Sequence, residues 1–260
     1  RLKELGILRA SISLDGPDAT SHDAFRRVAG AFAGALRGIG HLRDEGLPFQ
    51  VNTTVTRHNV GTAEKIYELA CSLQAVAWHP FLLVPTGRGA ELAKNAIGPA
   101  EYEDALRRFY RLQCEGPIPL KVTCAPHYAR VAREEEKKRR EARLPVREME
   151  MTRGCLAGTG FAFVSHVGRV QTCGYLDVAC GDIRKEPFTT IWETSRVFRR
   201  MRSKAEHAGR CGACPYWKFC GGCRARAFEV SGDYMAEEPH CVYVPPGFAA
   251  DCAPPTAAGG

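Results

Sequence analysis

The chain has 260 residues, 45% hydrophobic and 25% charged, an ordinary globular composition with enough apolar residues for one large core or two smaller ones. Collagen-like and disordered classes are excluded, as is a membrane-spanning helix, which needs a run of roughly 18 apolar residues. The formal charge of +7 is a mild basic bias, suited to an anionic ligand, and no nucleic-acid partner is expected from it.

Residues 8–15 read as a strand that ends in the turn Asp15-Gly16-Pro17. Ala31, Ala35, Leu36, Ile39 and Leu42 recur at helical spacing over residues 30–45 and stop at Gly46. Residues 49–56 are rich in β-branched side chains and predict a second strand. A helix follows with Ile66, Leu69, Ala70 and Leu73 on one face. Residues 77–84 predict a third strand, closed by Pro85-Thr86-Gly87-Arg88-Gly89, and residues 100–114 another helix. Strand and helix alternating at intervals of about 30 residues mean βαβ units and a parallel sheet. Three such units cannot close an eight-stranded barrel, so the sheet is open or belongs to a longer one. Ligands sit at the carboxyl ends of strands in such sheets, where Ser13, Asp15, Asn52, Thr54 and Arg88 stand.

Residues 130–143 mix basic and acidic side chains and read as a solvated connector helix. Beyond them the segments become short and rich in Gly and Cys. The division is therefore an α/β part over 1–147, a small Cys-rich part over 148–245, and a disordered Pro/Ala/Gly tail over 246–260.

The cysteines carry the chemistry. There are 12, and only Cys71, Cys114 and Cys124 fall in the first 150 residues. Cys155 is followed by twelve residues, Gly168, four residues and Cys173. Then come Cys211-x2-Cys214-x5-Cys220-x2-Cys223 and, after seventeen more residues, Cys241. Pairs two residues apart place both sulfurs on one face of a knuckle, which is ligand geometry for zinc or iron–sulfur clusters. A disulfide inside such a pair needs a strained small ring, so a cystine scaffold is the weaker reading. Seven thiols exceed one tetrahedral zinc and suit two iron–sulfur cubanes, four ligands plus three. Cys71, Cys114 and Cys252 read as ordinary buried or tail thiols.

This cysteine pattern resembles the SPASM extension of radical S-adenosylmethionine (SAM) enzymes. Ile12-Ser13-Leu14-Asp15-Gly16-Pro17, followed by His22-Asp23-Ala24-Phe25-Arg26, is similar to the fourth strand and loop of the same enzymes' partial barrel. The resemblance covers about residues 7–245. It implies an α/β fold, part of a radical SAM (β/α) barrel followed by a small iron–sulfur domain. It also implies two auxiliary 4Fe–4S clusters. The outer one takes Cys211, Cys214, Cys220 and Cys241. The inner one takes Cys155, Cys173 and Cys223 and lacks a fourth ligand, for which Cys180, Cys124 or an open iron are the alternatives. Two departures stand out. Cys220 and Cys223 have two residues between them where the family usually has three, and Met149 replaces a cysteine that many members carry. By position, Ser13 and Arg26 match the pair that holds the methionine carboxylate of SAM, with Asp15 beside them. The C-x3-C-x2-C motif of the catalytic cluster has no counterpart here, so the resemblance implies a C-terminal fragment of a longer enzyme, inactive alone and without catalytic residues of its own.

The stretches Gly154-Cys155-Leu156-Ala157-Gly158, Ser165-His166-Val167-Gly168, Cys173-Gly174-Tyr175 and Cys223-Arg224-Ala225-Arg226 resemble the heme-forming branch, which contains heme synthases and heme d1 enzymes. That branch implies oxidative decarboxylation of iron-coproporphyrin III propionates to vinyls, or propionate removal towards heme d1. A peptide-modifying SPASM enzyme and a non-enzymatic metal-binding module are the competing readings. For a tetrapyrrole, Arg88, Arg224 and Arg226 are candidates to hold propionates and His166 to ligate iron, against plain structural roles for each. Tyr175 would pack over a cluster. An electron donor such as ferredoxin or flavodoxin, and a low-oxygen cytoplasm, follow from oxygen-labile clusters.

Overall fold

A computed structural model describes residues 3–146 and 154–248. Its first sheet has three parallel strands in the order β1 (Ala10–Ser13), β2 (Phe49–Val55), β3 (Ala77–Leu82). Ile12 stands opposite Val51, and Asn52 opposite His79. Phe49, Val51, Thr53 and Val55 alternate along β2 and are all buried, because the helices of the crossovers cover the sheet. These are α1 (Ala19–Arg26) and α2 (Ala31–Asp44) before β2, then α3 (Ala63–Ser72) before β3. Fully buried Trp78 centres the core. Tyr67 and Phe109 meet it edge-on at 5.6 and 5.3 Å, geometry the ring quadrupole favours. Its indole N–H donates to Thr53 Oγ1 at 2.8 Å, and that hydroxyl donates on to the Leu14 carbonyl at 2.7 Å.

After α4 (Pro99–Glu115) the chain runs alongside β3 as a fourth, strand-like segment. The Lys121 N–H donates to the Trp78 carbonyl (3.0 Å), Thr123 to Pro80 (2.9 Å), and Leu82 to Thr123 (3.0 Å). This segment delivers Cys124 to the carboxyl edge of the sheet, directly before α5 (Tyr128–Glu141).

The Cys-rich part holds a small antiparallel sheet of β4 (Phe163–Val164), β5 (Arg169–Gln171) and β6 (Gly181–Asp182). Short helices follow: α6 (Phe188–Thr194), α7 (Arg196–Arg202), α8 (Gly209–Ala213) and α9 (Arg224–Ser231). Gly221 and Gly222 between Cys220 and Cys223 both have positive φ, at 73° and 67°. Glycine adopts that backbone freely, and a Cβ on Gly222 would strike the Arg224 guanidinium.

Three expectations change. The strand over 8–15 shortens to Ala10–Ser13, because the chain turns at Gly16, where a Cβ would sit 2.6 Å from the His22 nitrogen. Helix α1, not anticipated, starts at Asp18, whose carboxylate accepts the Ser21 N–H at 2.8 Å. And α5 is not a solvated connector. Tyr128, Ala129, Arg130, Val131, Ala132 and Arg139 are buried, and Arg130 pairs with Glu103 of α4 at 2.5 Å and with Glu134 at 2.9 Å. The division near residue 148 and the tail beyond Phe248 lie outside the described residues. Among the described residues no helix is long and apolar enough to cross a membrane.

Candidate functional site

Two groups of functional side chains meet the carboxyl end of the parallel sheet. The first surrounds Asp15, just beyond β1. Asp15 is buried; its Oδ1 accepts the Thr54 N–H at 2.7 Å, and its Oδ2 lies 2.5 Å from Arg26 Nη2. Its own N–H donates to His22 Nδ1 at 3.0 Å, and Asn59 Nδ2 donates to its carbonyl at 2.9 Å. Burial pushes the Asp15 carboxyl up, against the opposing charge of Arg26. Asp15 thus anchors the Arg26 guanidinium from the buried side. Ser13 ends β1 exposed, and the Arg26 side chain keeps 37% of its surface open. A hydroxyl and a guanidinium at one strand end fit a carboxylate.

The second group is the thiols. Cys211, Cys214, Cys220 and Cys241 line one cavity, together with His127, Arg130 and Arg210. Cys211 comes from α8 and Cys214 caps it; beyond Cys220 the glycine pair turns the chain to Cys223, which belongs to the second set of thiols. Cys173 and Cys223 pack in a separate cluster around Val84, Leu176 and Ala225, with Cys124 against them. Cys155 is close enough to interact electrostatically with Cys124 and Cys223. None of the described cysteines is in a disulfide.

The polypeptide aims N–H groups at these sulfurs. Cys211 Sγ accepts the Glu238 N–H at 3.3 Å, Cys220 that of Gly222 at 3.4 Å, Cys173 that of Tyr175 at 3.2 Å, and Cys155 that of Ala157 at 3.5 Å. Such donors stabilise thiolate, yet burial pushes the thiols of Cys223 and Cys241 up to about 11 and that of Cys220 well up. Buried sulfurs that share a space and resist ionisation require a cation to become thiolates together. Among the described residues, no three Cys, His, Asp or Glu side chains gather closely enough for a single metal ion. Thiolates around a cubane stand farther apart than around one zinc, because each binds a different iron. Buried His127 adds a second sign of fit: it lines the four-thiol cavity, and neither ring nitrogen has a hydrogen-bond partner among the described residues. A cluster sulfur would accept its N–H. The residues present fit 4Fe–4S groups.

Other candidates lie elsewhere. Cys180 is separated from the inner group: it packs with Val170, Ile191 and Phe198, and its thiol faces the Val178 carbonyl. Arg226 is fully buried, paired with Glu238 at 3.1 Å, and donates to the carbonyls of Leu83 and Cys124. Arg224 is also buried; it donates to the Ala236 carbonyl at 2.5 Å and reaches Cys211 Sγ at 3.5 Å. Neither guanidinium is open to a propionate, because α9 turns both inward. His166 stands exposed in the β4–β5 turn. The Arg88 side chain lies outside the described residues. Tyr175 stands beside Cys124; burial, and after it the Cys124 thiol, pushes its hydroxyl pKa up. Sequence reading missed His127 and Glu238. Cys124-x2-His127 was a usable signal for the first; nothing in the sequence singled out the second.

A parallel α/β sheet that ends against two sets of thiols defines the radical SAM class with an auxiliary iron–sulfur domain. Residues 155–215 match the SPASM family, an iron–sulfur cluster-binding domain. Streptococcus suis SuiB bound to S-adenosylmethionine shares the fold, with a TM-score of 0.63 at 13% identity over 90% of this chain and 54% of that one. An AdoMet-dependent heme synthase of Nitratidesulfovibrio vulgaris is 54% identical over 94% of the chain and 67% of its own length. Another from Methanosarcina barkeri is 51% identical over 94% of the chain and 70% of its length. A pre-heme d1 synthase of Dinoroseobacter shibae is 29% identical over 93% and 63%. The chain spans about two thirds of the curated relatives it matches, and it belongs to the AdoMet-dependent heme synthase family of radical SAM proteins.

Proposed function

We propose that this chain is the auxiliary-cluster part of a heme synthase acting on iron-coproporphyrin III. The single observation that carries the reading is the 54% identity to a heme synthase over 94% of the chain, against 29% to the heme d1 relative. Each of two propionates would lose one hydrogen atom, CO2 and one electron to become a vinyl group, giving heme b. When bound, SAM at a reduced cluster would supply the hydrogen-abstracting radical, and auxiliary clusters held by the thiols would supply a site for the departing electron.

The chain's own residues prepare this. Ser13 and Arg26 hold the SAM carboxylate, with Asp15 fixing the angle of the guanidinium. Cys211, Cys214, Cys220 and Cys241 hold the outer cluster, and Cys155, Cys173 and Cys223 the inner one. A ferredoxin or flavodoxin delivers electrons, and a low-oxygen cytoplasm is the compartment such clusters need. The test is anaerobic turnover of the full-length protein, loaded with iron and sulfide, on iron-coproporphyrin III. CO2 release with stepwise conversion of both propionates is the expected result. Turnover of SAM without CO2 release would overturn the substrate.

A further inference from the structure

We propose that Cys124, which lies outside the SPASM cysteine pattern, supplies the fourth thiolate of the inner cluster beside Cys155, Cys173 and Cys223. The inference rests on the two-cluster reading above and adds a ligand from the α/β part of the chain.

Position is the first argument. Cys124 packs against the same small group as Cys173 and Cys223, while Cys180, the other spare thiol of the region, sits in a different cluster behind β5. Backbone is the second. Cys124 has φ of 60°, a left-handed conformation that costs a non-glycine residue free energy and persists where its surroundings impose it. Those surroundings are specific. The segment before it is locked to β3 through Thr123, and its carbonyl accepts from Arg226 Nη2 at 2.8 Å and from the Tyr102 hydroxyl at 3.2 Å. Arg226 is itself pinned by Glu238, which also receives the Cys223 N–H at 2.7 Å. One network thus fixes both Cys124 and Cys223.

On ligation the Cys124 thiol gives its proton to solvent and its sulfur forms one bond to iron; no electron is transferred. With four protein thiolates the inner cluster has no open iron, so it exchanges electrons and does not bind a substrate directly.

The experiment uses full-length protein reconstituted anaerobically with iron and sulfide, in wild type, Cys124→Gly, Cys124→Ser and Cys173→Ala forms. Glycine suits a φ of 60°, so Cys124→Gly removes the thiol without adding backbone strain. Each sample is read by iron content and by low-temperature electron paramagnetic resonance of the reduced clusters, with and without added cyanide. The expected result is a wild-type inner-cluster signal that cyanide leaves unmoved. In Cys124→Gly and Cys124→Ser that signal shifts and responds to cyanide, or disappears with one cluster's worth of iron. Variants indistinguishable from wild type, or a wild-type signal that cyanide shifts, would overturn the assignment. If Cys173→Ala also leaves iron and spectrum unchanged, the two-cluster reading itself has failed.

Discussion

Arg226 and Glu238 form an ion pair beyond the reach of solvent, 3.1 Å between Nη1 and Oε2 with the side chains 0% and 1% exposed. The pair ties three parts together: the end of β3 through the Leu83 carbonyl, the inner thiols through the Cys223 N–H, and the outer thiols through the Glu238 N–H on Cys211. Burial would raise the Glu238 carboxyl, but the Arg226 charge together with His127, the Cys223 N–H and His240 holds it well below the usual range. Replacing Arg226 by Ala leaves a buried carboxylate without its counter-charge, at a cost of about 3–5 kcal/mol. The expected outcome is a clear drop in the anaerobic thermal midpoint, partly restored in Arg226→Ala/Glu238→Ala. An additive double variant would show that the two groups do not interact.

Arg26 and Asp15 are predicted to act in series on SAM. Arg26→Ala should weaken SAM binding to the full-length holoprotein by about tenfold or more, the effect of one charge-assisted hydrogen bond. Asp15→Asn should weaken it less, since the guanidinium survives and only its anchor changes. Calorimetric titration under argon measures both. Equal SAM affinity in wild type and Arg26→Ala would remove Arg26 from the cofactor site.

His127 is predicted to tune the outer cluster. His127→Phe keeps a ring where the imidazole meets Tyr102 at 4.7 Å but removes the N–H that a cluster sulfur would accept. Loss of one such bond, about 1 kcal/mol, lowers the midpoint potential by roughly 40 mV for one electron. Redox titration followed by electron paramagnetic resonance reads the shift. A potential unmoved by the substitution would place the imidazole outside the cluster's hydrogen-bond shell.

The Glu103–Arg130 pair gives a pH prediction. Burial raises Glu103, but the hydrogen bond and charge of Arg130, with the charges of Arg107 and His127, together hold the carboxyl below its ordinary 4.5. A depressed carboxylate contributes stability that is complete above the unfolded value and lost as pH falls through the folded one. Glu103→Gln should therefore lower stability by about 1–3 kcal/mol at pH 7, since Arg130 keeps Glu134. The gap in thermal midpoint should be constant from pH 8 to pH 6. A gap that narrowed within that window would contradict the assignment.

The sheet is legible in the sequence because Val51, Thr53 and Val55 alternate on one buried face, and α2 and α4 because their apolar residues keep a helical period. Helix α1 is not, since its eight residues rely on the Asp18 cap and not on a stripe. The charged run of α5 looks solvated until Glu103 is placed opposite Arg130, a contact between residues 27 positions apart. Spacing reveals that the SPASM thiols gather, yet Cys124 is outside the motif and joins them only through the strand-like segment beside β3. Arg224 and Arg226 look like anion binders in one dimension; the direction of α9 makes them internal braces.

The central claim is that the thiols form two separate cages for iron. Iron and sulfide analysis with low-temperature electron paramagnetic resonance, on the anaerobically reconstituted chain and its Cys214→Ala and Cys173→Ala variants, tests it most directly. Two 4Fe–4S clusters predict about eight irons and two distinct reduced signals, with each variant losing a different one. Zinc in place of iron, or both variants erasing the same signal, would contradict it.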